Sequence, residues 1–174
     1  VRIELQNMVE NGIITPVNEP SPWISALLVV AKANKEIRLV IDPKPVNRAL
    51  LRNHYLMPVI DDILPDLQNA KVFSVCDTKK GFWHVKLDEE SSKLTTFNSP
   101  FGKFRFLVCP FGLSVAPEEF QRRLHGALEG LTGIACIADD ILIYGCGNTL
   151  EEANKDHDQK LIKLFVRCRE KGIR

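Results

Sequence analysis

A chain of 174 residues, 45% hydrophobic and 26% charged, has material for one moderate core, or for one core and a small lobe. Its 23 basic and 22 acidic residues leave a formal charge of +1, which excludes a global field for nucleic acid and leaves that task to a local basic surface. Five cysteines without Cys-x-x-Cys or Cys/His ligand spacing predict reduced, buried thiols and an intracellular setting, and no apolar run reaches membrane-spanning length.

Residues 2–11 read as a short helix ended by Gly12, with Ile3, Leu5, Met8 and Val9 as an imperfect apolar face. Three prolines make residues 15–22 loop or extended chain. Residues 23–31 and 37–41 are strand candidates joined by a polar turn, hence a hairpin, which ends at the prolines of residues 42–45. One helical turn is expected over 47–51. A short irregular helix follows over 58–67, with Ile60, Ile63 and Leu67 on one face and Pro65 interrupting it.

Residues 72–76 form a compact β run closed by Asp77, and the alternation after the turn at 78–81 fits a further strand through Leu87. Residues 94–97 and 103–108 read as a strand pair around the Asn98-Ser99-Pro100-Phe101-Gly102 turn. The strongest helix spans 114–128, with Ser114 as cap, Glu118 and Glu119 in its first turn, and Phe120, Leu124, Ala127 and Leu128 on one face. Two Ile-rich runs, 134–138 and 141–144, then flank Asp139 and Asp140 at hairpin-turn spacing. A last helix covers about 149–170, opened by a Thr149/Glu152 capping box. Ala153, His157, Leu161, Leu164, Phe165 and Cys168 form its stripe. Helices following a small antiparallel sheet predict an α+β fold with helices on one face.

Three carboxylates thus stand at strand ends: Asp77, Asp139 and Asp140. Neighbouring strands would bring them into a hard, all-oxygen site suited to Mg²⁺, and two such ions can support phosphoryl transfer. Spacing leaves open the plainer reading of three unrelated turn aspartates. Lys79, Lys80, Lys103, Arg105, Arg122, Arg123 and Lys155 could line a nucleic-acid groove if they align; otherwise they are solvated surface charges.

Five blocks occur in order: Arg38-Leu39-Val40-Ile41-Asp42-Pro43-Lys44-Pro45-Val46-Asn47, Val72-Phe73-Ser74-Val75-Cys76-Asp77, Leu94-Thr95-Thr96-Phe97, Cys109-Pro110-Phe111-Gly112-Leu113-Ser114-Val115-Ala116-Pro117, and Ile137-Ala138-Asp139-Asp140-Ile141-Leu142. On these, nearly the whole chain resembles the fingers and palm of a reverse transcriptase from a Gypsy-like long-terminal-repeat retrotransposon. The resemblance implies an α+β right-hand polymerase fold: a ferredoxin-like antiparallel palm sheet with helices on one face, plus β-rich fingers. It divides the chain into fingers at 1–53, palm at 54–86, fingers at 87–113 and palm at 114–174.

It also implies Asp77, Asp139 and Asp140 as catalytic carboxylates holding two Mg²⁺, with Mn²⁺ as substitute and the Thr78 carbonyl as a further contact. Lys32 and Arg38 would meet the triphosphate. Phe82 would exclude a ribose 2′-hydroxyl, and Phe111 and Gly112 would line the nucleotide pocket. Ile137, where the common pattern has Tyr, would support the primer end with Ala138, giving a modified active site. Partners would be an RNA or DNA template with primer, and a deoxynucleoside triphosphate; no membrane is implied. The setting would be a cytoplasmic retroelement particle, with the nucleus as alternative.

The chain begins at Val1 and stops at Arg174 just past a helix, so a piece of a longer polyprotein is expected, lacking thumb and ribonuclease H regions. Two other readings share these residues. A decayed or domesticated remnant would bind nucleic acid or protein without polymerising, and a metal-dependent nuclease would use the ions but need neither Phe82 nor the Lys32–Arg38 pair.

Overall fold

The computed structural model describes residues 1–31, 37–52, 55, 60–137 and 140–174, with Ile60 and Ile137 described by backbone alone. The chain forms two units, each made of two separated segments: Val1–Asn53 with Phe82–Ala116, and His54–Gly81 with Pro117–Arg174.

In the first unit, α1 (Arg2–Glu10) buries Leu5 and Met8 and leaves Ile3 exposed. Gly12 takes φ +66°, a left-handed turn that glycine adopts without steric cost, and releases the chain into β1 (Ile14–Pro16). The start of the stretch expected as loop or extended chain is thus extended, and Pro16 sits at a sheet edge, where a missing N–H is tolerated. β2 (Ser25–Ala31) and β3 (Ile37–Asp42) pair antiparallel in the expected hairpin. The polar turn between them, with Lys32, lies outside the described residues. α2 (Lys44–Ala49) begins earlier than predicted because Pro43 and Pro45 fall at its cap and first turn, where helices accept proline.

The strand expected after Asp77 is not formed. Gly81–His84 is a 3-10 turn, Val85 N–H donates to the Phe82 carbonyl at 3.0 Å, and only the bridge Lys86↔Val108 remains of the alternation. Asp88 then accepts the Ser91 N–H and opens α4 (Glu89–Leu94), a helix absent from the sequence reading. β5 (Phe97–Ser99) and β6 (Gly102–Phe106) pair antiparallel, but β5 shares only Phe97 with the strand expected over 94–97, because Leu94 ends α4, and it takes in Asn98 and Ser99 of the expected turn. The five strands order as β1-β6-β5-β2-β3, with β2 and β5 parallel. Leu5, Met8, Ile14, Leu39, Ile41, Phe97, Phe104 and Phe106 form the core.

In the second unit, α3 (Ile60–Ile63) passes into a 3-10 turn over Leu64–Leu67, with Pro65 in its first turn. Pro58 lies outside the described residues. β4 (Ala70–Asp77), β7 (Ile134–Ile137) and β8 (Asp140–Cys146) make an antiparallel sheet ordered β4-β8-β7. α5 (Ala116–Leu128) starts beyond Ser114, whose N–H is bound by Asn47, so Ser114 is not its cap. Phe120, Leu124 and Leu128 are buried as read, and the buried Gln121 donates to the Cys136 carbonyl of β7. α6 (Leu150–Lys171) carries the full Thr149/Glu152 capping box and ends at Gly172, φ +70°. It covers β8 and β4 with Ala153, His157 and Leu164, whereas Phe165, read as part of the stripe, is 53% exposed. Leu164 and Cys168 hold the inner face, and one residue on from Leu164 the helix has turned away. Among the described residues no helix is long and apolar enough to cross a membrane.

Candidate active site

β4 alternates half-buried and exposed residues along its length. Ser74 faces α6, where its Oγ lies 2.9 Å from His157 Nε2, so Asp77, three residues on, points from the opposite face and is exposed. β8 runs antiparallel beside it and buries Ile141 and Ile143, which leaves Asp140 exposed. The register pairs Asp77 directly with Asp140. Cβ atoms of such opposed residues lie about 4.5–5.5 Å apart and project from one face. Asp140 is therefore the first residue of a strand and not a turn residue, because it pairs both with Asp77 and, across the hairpin, with Ile137.

Two opposed carboxylates repel, and a divalent cation with a preference for oxygen removes that cost. Asp139 and Ala138 lie outside the described residues. Among the described residues no three His, Cys, Asp or Glu side chains gather as a metal cluster.

The turn after Asp77 is fixed by packing. Thr78 is buried, Lys80 takes φ +56°, and a Cβ on Gly81 would stand 2.9 Å from Phe120 Cζ. Lys79 N–H donates to the Arg174 carbonyl at 2.8 Å. A cavity of about 600 Å³ opens beside this turn, lined by Cys76, Asp77, Thr78, Leu164, Phe165 and Arg169. Burial pushes the Cys76 and Cys168 thiols up. It raises Cys136 further, to about 11, with Cys168 as a second cause. All five cysteines are free.

A second group stands within the first unit. The exposed Arg38 on β3 holds its guanidinium carbon 4.9 Å from the Phe111 ring centroid, a cation–π contact. The Phe82 ring lies against the other aromatic of this group, its centroid also 4.9 Å from that of Phe111 and inclined by 44°. Both rings are half-buried. Gly112 follows at φ +112°, and a Cβ there would fall 2.2 Å from the Ile41 carbonyl oxygen, so only glycine lets the loop lie on β3.

Asn47, which sequence reasoning missed as a functional residue, holds that loop: its Nδ2 donates to the Gly112 carbonyl and its Oδ1 accepts the Ser114 N–H, each at 2.9 Å. Nothing local to residue 47 signals a partner so distant in the chain. Four of the basic residues have partners: Glu119 engages Arg122 and Arg123, Lys103 donates to the Glu19 carbonyl and Arg105 to that of Glu89.

The chain is 34% identical, over its full length, to the retrovirus-related Pol polyprotein from transposon 412 of Drosophila melanogaster, of which it covers 14%. It is 32% identical over 98% of its length to the enzymatic polyprotein of cauliflower mosaic virus (strain CM-1841), covering 25% of that protein. The fold matches the crystal structure of prototype foamy virus protease-reverse transcriptase with TM-score 0.85 and 23% identity, over 99% of this chain and 22% of that one. The foamy viral enzyme in complex with an RNA/DNA hybrid matches with TM-score 0.79 and 23% identity over 97% of this chain, again 22% of its own. The chain thus spans about a quarter or less of each relative. The profile of the reverse transcriptase (RNA-dependent DNA polymerase) family matches residues 30–174, and the chain belongs to that family.

Proposed function

We propose that this chain carries the polymerase chemistry of a Gypsy-like retrotransposon: transfer of a deoxynucleotide from its triphosphate to a primer 3′-hydroxyl on an RNA or DNA template. The observation that carries the reading is the direct pairing of Asp77 with Asp140 on the exposed face of the three-stranded sheet. The fold supports assigning fingers to 1–53 and 87–113 and palm to 54–86 and 114–174. The foamy viral complex with an RNA/DNA hybrid supports a hybrid as partner.

Asp77 and Asp140, with Asp139 and the Thr78 carbonyl, would hold two Mg²⁺, or Mn²⁺ in their place. Bound there, such ions supply Lewis-acid stabilisation of the attacking and leaving oxygens. The residues of the chain supply the rest. Arg38 offers a guanidinium to the triphosphate, as does Lys32 with its ammonium. Phe82 closes the space a 2′-hydroxyl would need, Phe111 and Gly112 line the nucleotide side, and Ile137 with Ala138 supports the primer end by apolar contact.

The test is primer extension by the chain within its natural flanking sequence, beside a template–primer binding titration at fixed salt. Asp77→Asn or Asp140→Asn should each lower the extension rate by roughly a hundredfold or more, since removing one carboxylate costs several kcal/mol of transition-state electrostatics. Template binding should stay near the wild type. A wild type that binds template–primer but never adds a nucleotide overturns the polymerase reading in favour of a non-catalytic remnant.

A further inference from the structure

We infer that Asn47 is a positioning residue for nucleotide selection, acting through the loop that carries Phe111. The inference rests on the polymerase reading above. Residues 110–115 belong to neither helix nor strand, so their backbone groups find no ladder and need other partners. Asn47 supplies two of them at once, the carbonyl of Gly112 and the N–H of Ser114. One partner only accepts and the other only donates, so a carboxamide satisfies both in a single orientation. No other side chain of this size offers a donor and an acceptor on one planar fork.

These two bonds bracket Leu113 and press the loop onto the end of β3, where a Cβ at position 112 would meet Ile41 O at 2.2 Å and Pro43 Cδ at 3.3 Å. α2 contributes Asn47 and β3 contributes Ile41, and only Pro43 separates the two elements. The loop is thereby fixed to the strand that also bears Arg38. Phe111, immediately before Gly112, then has its ring set by an anchored backbone. Its ring in turn contacts the guanidinium of Arg38 and the ring of Phe82. The groups proposed to meet the triphosphate and the sugar are therefore seated on one aromatic ring, and the seat is held by Asn47. Loss of the carboxamide frees the loop, and both functions should weaken together.

The experiment measures equilibrium affinity for a deoxynucleoside and a ribonucleoside triphosphate on a complex with chain-terminated primer, and single-nucleotide kcat and KM on an extendable one. The polymerase carries its natural flanking sequence. Asn47→Ala should weaken deoxynucleotide binding about tenfold and cut the deoxy-over-ribo preference by a similar factor, as loss of both side-chain-to-backbone hydrogen bonds that hold the loop implies. kcat at saturating nucleotide should stay within about threefold, a split that a general loss of folded protein does not produce. In an Arg38→Ala background the same change should cost less than about threefold, because the seat then holds nothing that meets the triphosphate. Asn47→Asp, which keeps shape and acceptor but loses the donor to Gly112, covers the case in which Asn47→Ala fails to melt cooperatively; it should weaken binding at least about threefold.

Wild-type affinity and sugar preference in a variant that melts like the wild type, or a loss confined to kcat, overturns the inference. A wild type that binds nucleotide but never extends overturns the polymerase reading alone. One that binds no nucleotide overturns both.

Discussion

Asp156 accepts the Cys146 N–H at 2.8 Å and the Lys160 ammonium at 2.6 Å, and these donors, the backbone amide first, hold its carboxyl below the usual carboxylate range. A carboxyl depressed in the folded state stabilises above its unfolded value, near about 4, and that contribution fades as pH falls through the lower folded value. The side chain is 35% exposed, so water screens the Lys160 share and the amide bond dominates. Asp156→Ala should cost about 1–2 kcal/mol at pH 7 and much less near pH 2, measured by urea unfolding at both. An equal loss at the two pH values would remove the ionised carboxylate from the account.

Single residues differed in how far sequence exposed them. Asp77 announced itself by closing an apolar run, and Asp140 by its place in an Ile-rich hairpin. Asn47 did not, because its meaning lies in two backbone groups some 65 residues away. Cys109 and Cys136 fit the expected buried thiols, whereas Cys76, Cys146 and Cys168 are only half-buried.

Where β8 meets α6, a glycine sets the distance. A Cβ at position 145 would lie 2.2 Å from the Ala153 carbonyl oxygen and 2.6 Å from His157 Cβ, against helix backbone that cannot yield without moving α6. Gly145→Ala should destabilise the chain by about 1–3 kcal/mol or more through overpacking, read as a lower urea midpoint with unchanged slope. A midpoint within error of the wild type would mean that α6 shifts freely. α6 itself was readable because its capping box and stripe are local. α4 was not: its two turns depend on Ser92 donating to the Phe106 carbonyl and on Thr95 accepting the Phe106 N–H, bonds made to β6 and invisible in a window of neighbours. The missing strand at 82–87 has a similar cause. Its alternation is present, yet Phe82–His84 curls into a 3-10 turn and Asp88 starts a helix before a ladder can grow.

The molecule as a whole is interleaved, since each unit draws on two segments of chain. Within the first, β2 pairs with β5 and β1 with β6, while Leu5, Met8, Ile14, Leu39 and Ile41 share a core with Phe97, Phe104 and Phe106. Burial of about 1.5–3 kcal/mol per large apolar side chain exceeds the cost of bringing two pieces together. Polypeptides 1–53 and 54–174 made separately should therefore associate on mixing and co-elute in size-exclusion chromatography. Independent elution would show that the covalent link supplies what these contacts do not. Sequence blocks could place the segments in a family order, but not state which strands pair, because parallel β2–β5 contact joins residues some 70 positions apart.

Interleaving also bears on how the protein is made. β4 leaves the ribosome at residue 77, yet its sheet partner β8 starts at Asp140, so for more than sixty codons both of its edges stay open. Phe73 and Val75 lie on that strand with 50% and 64% of their surface exposed even after folding. An unpaired strand with such a face is a ready target for wrong partners on a crowded polysome. Slow translation between these points prolongs that exposure, and a chaperone that holds extended apolar chain during it would raise the yield of correctly paired protein.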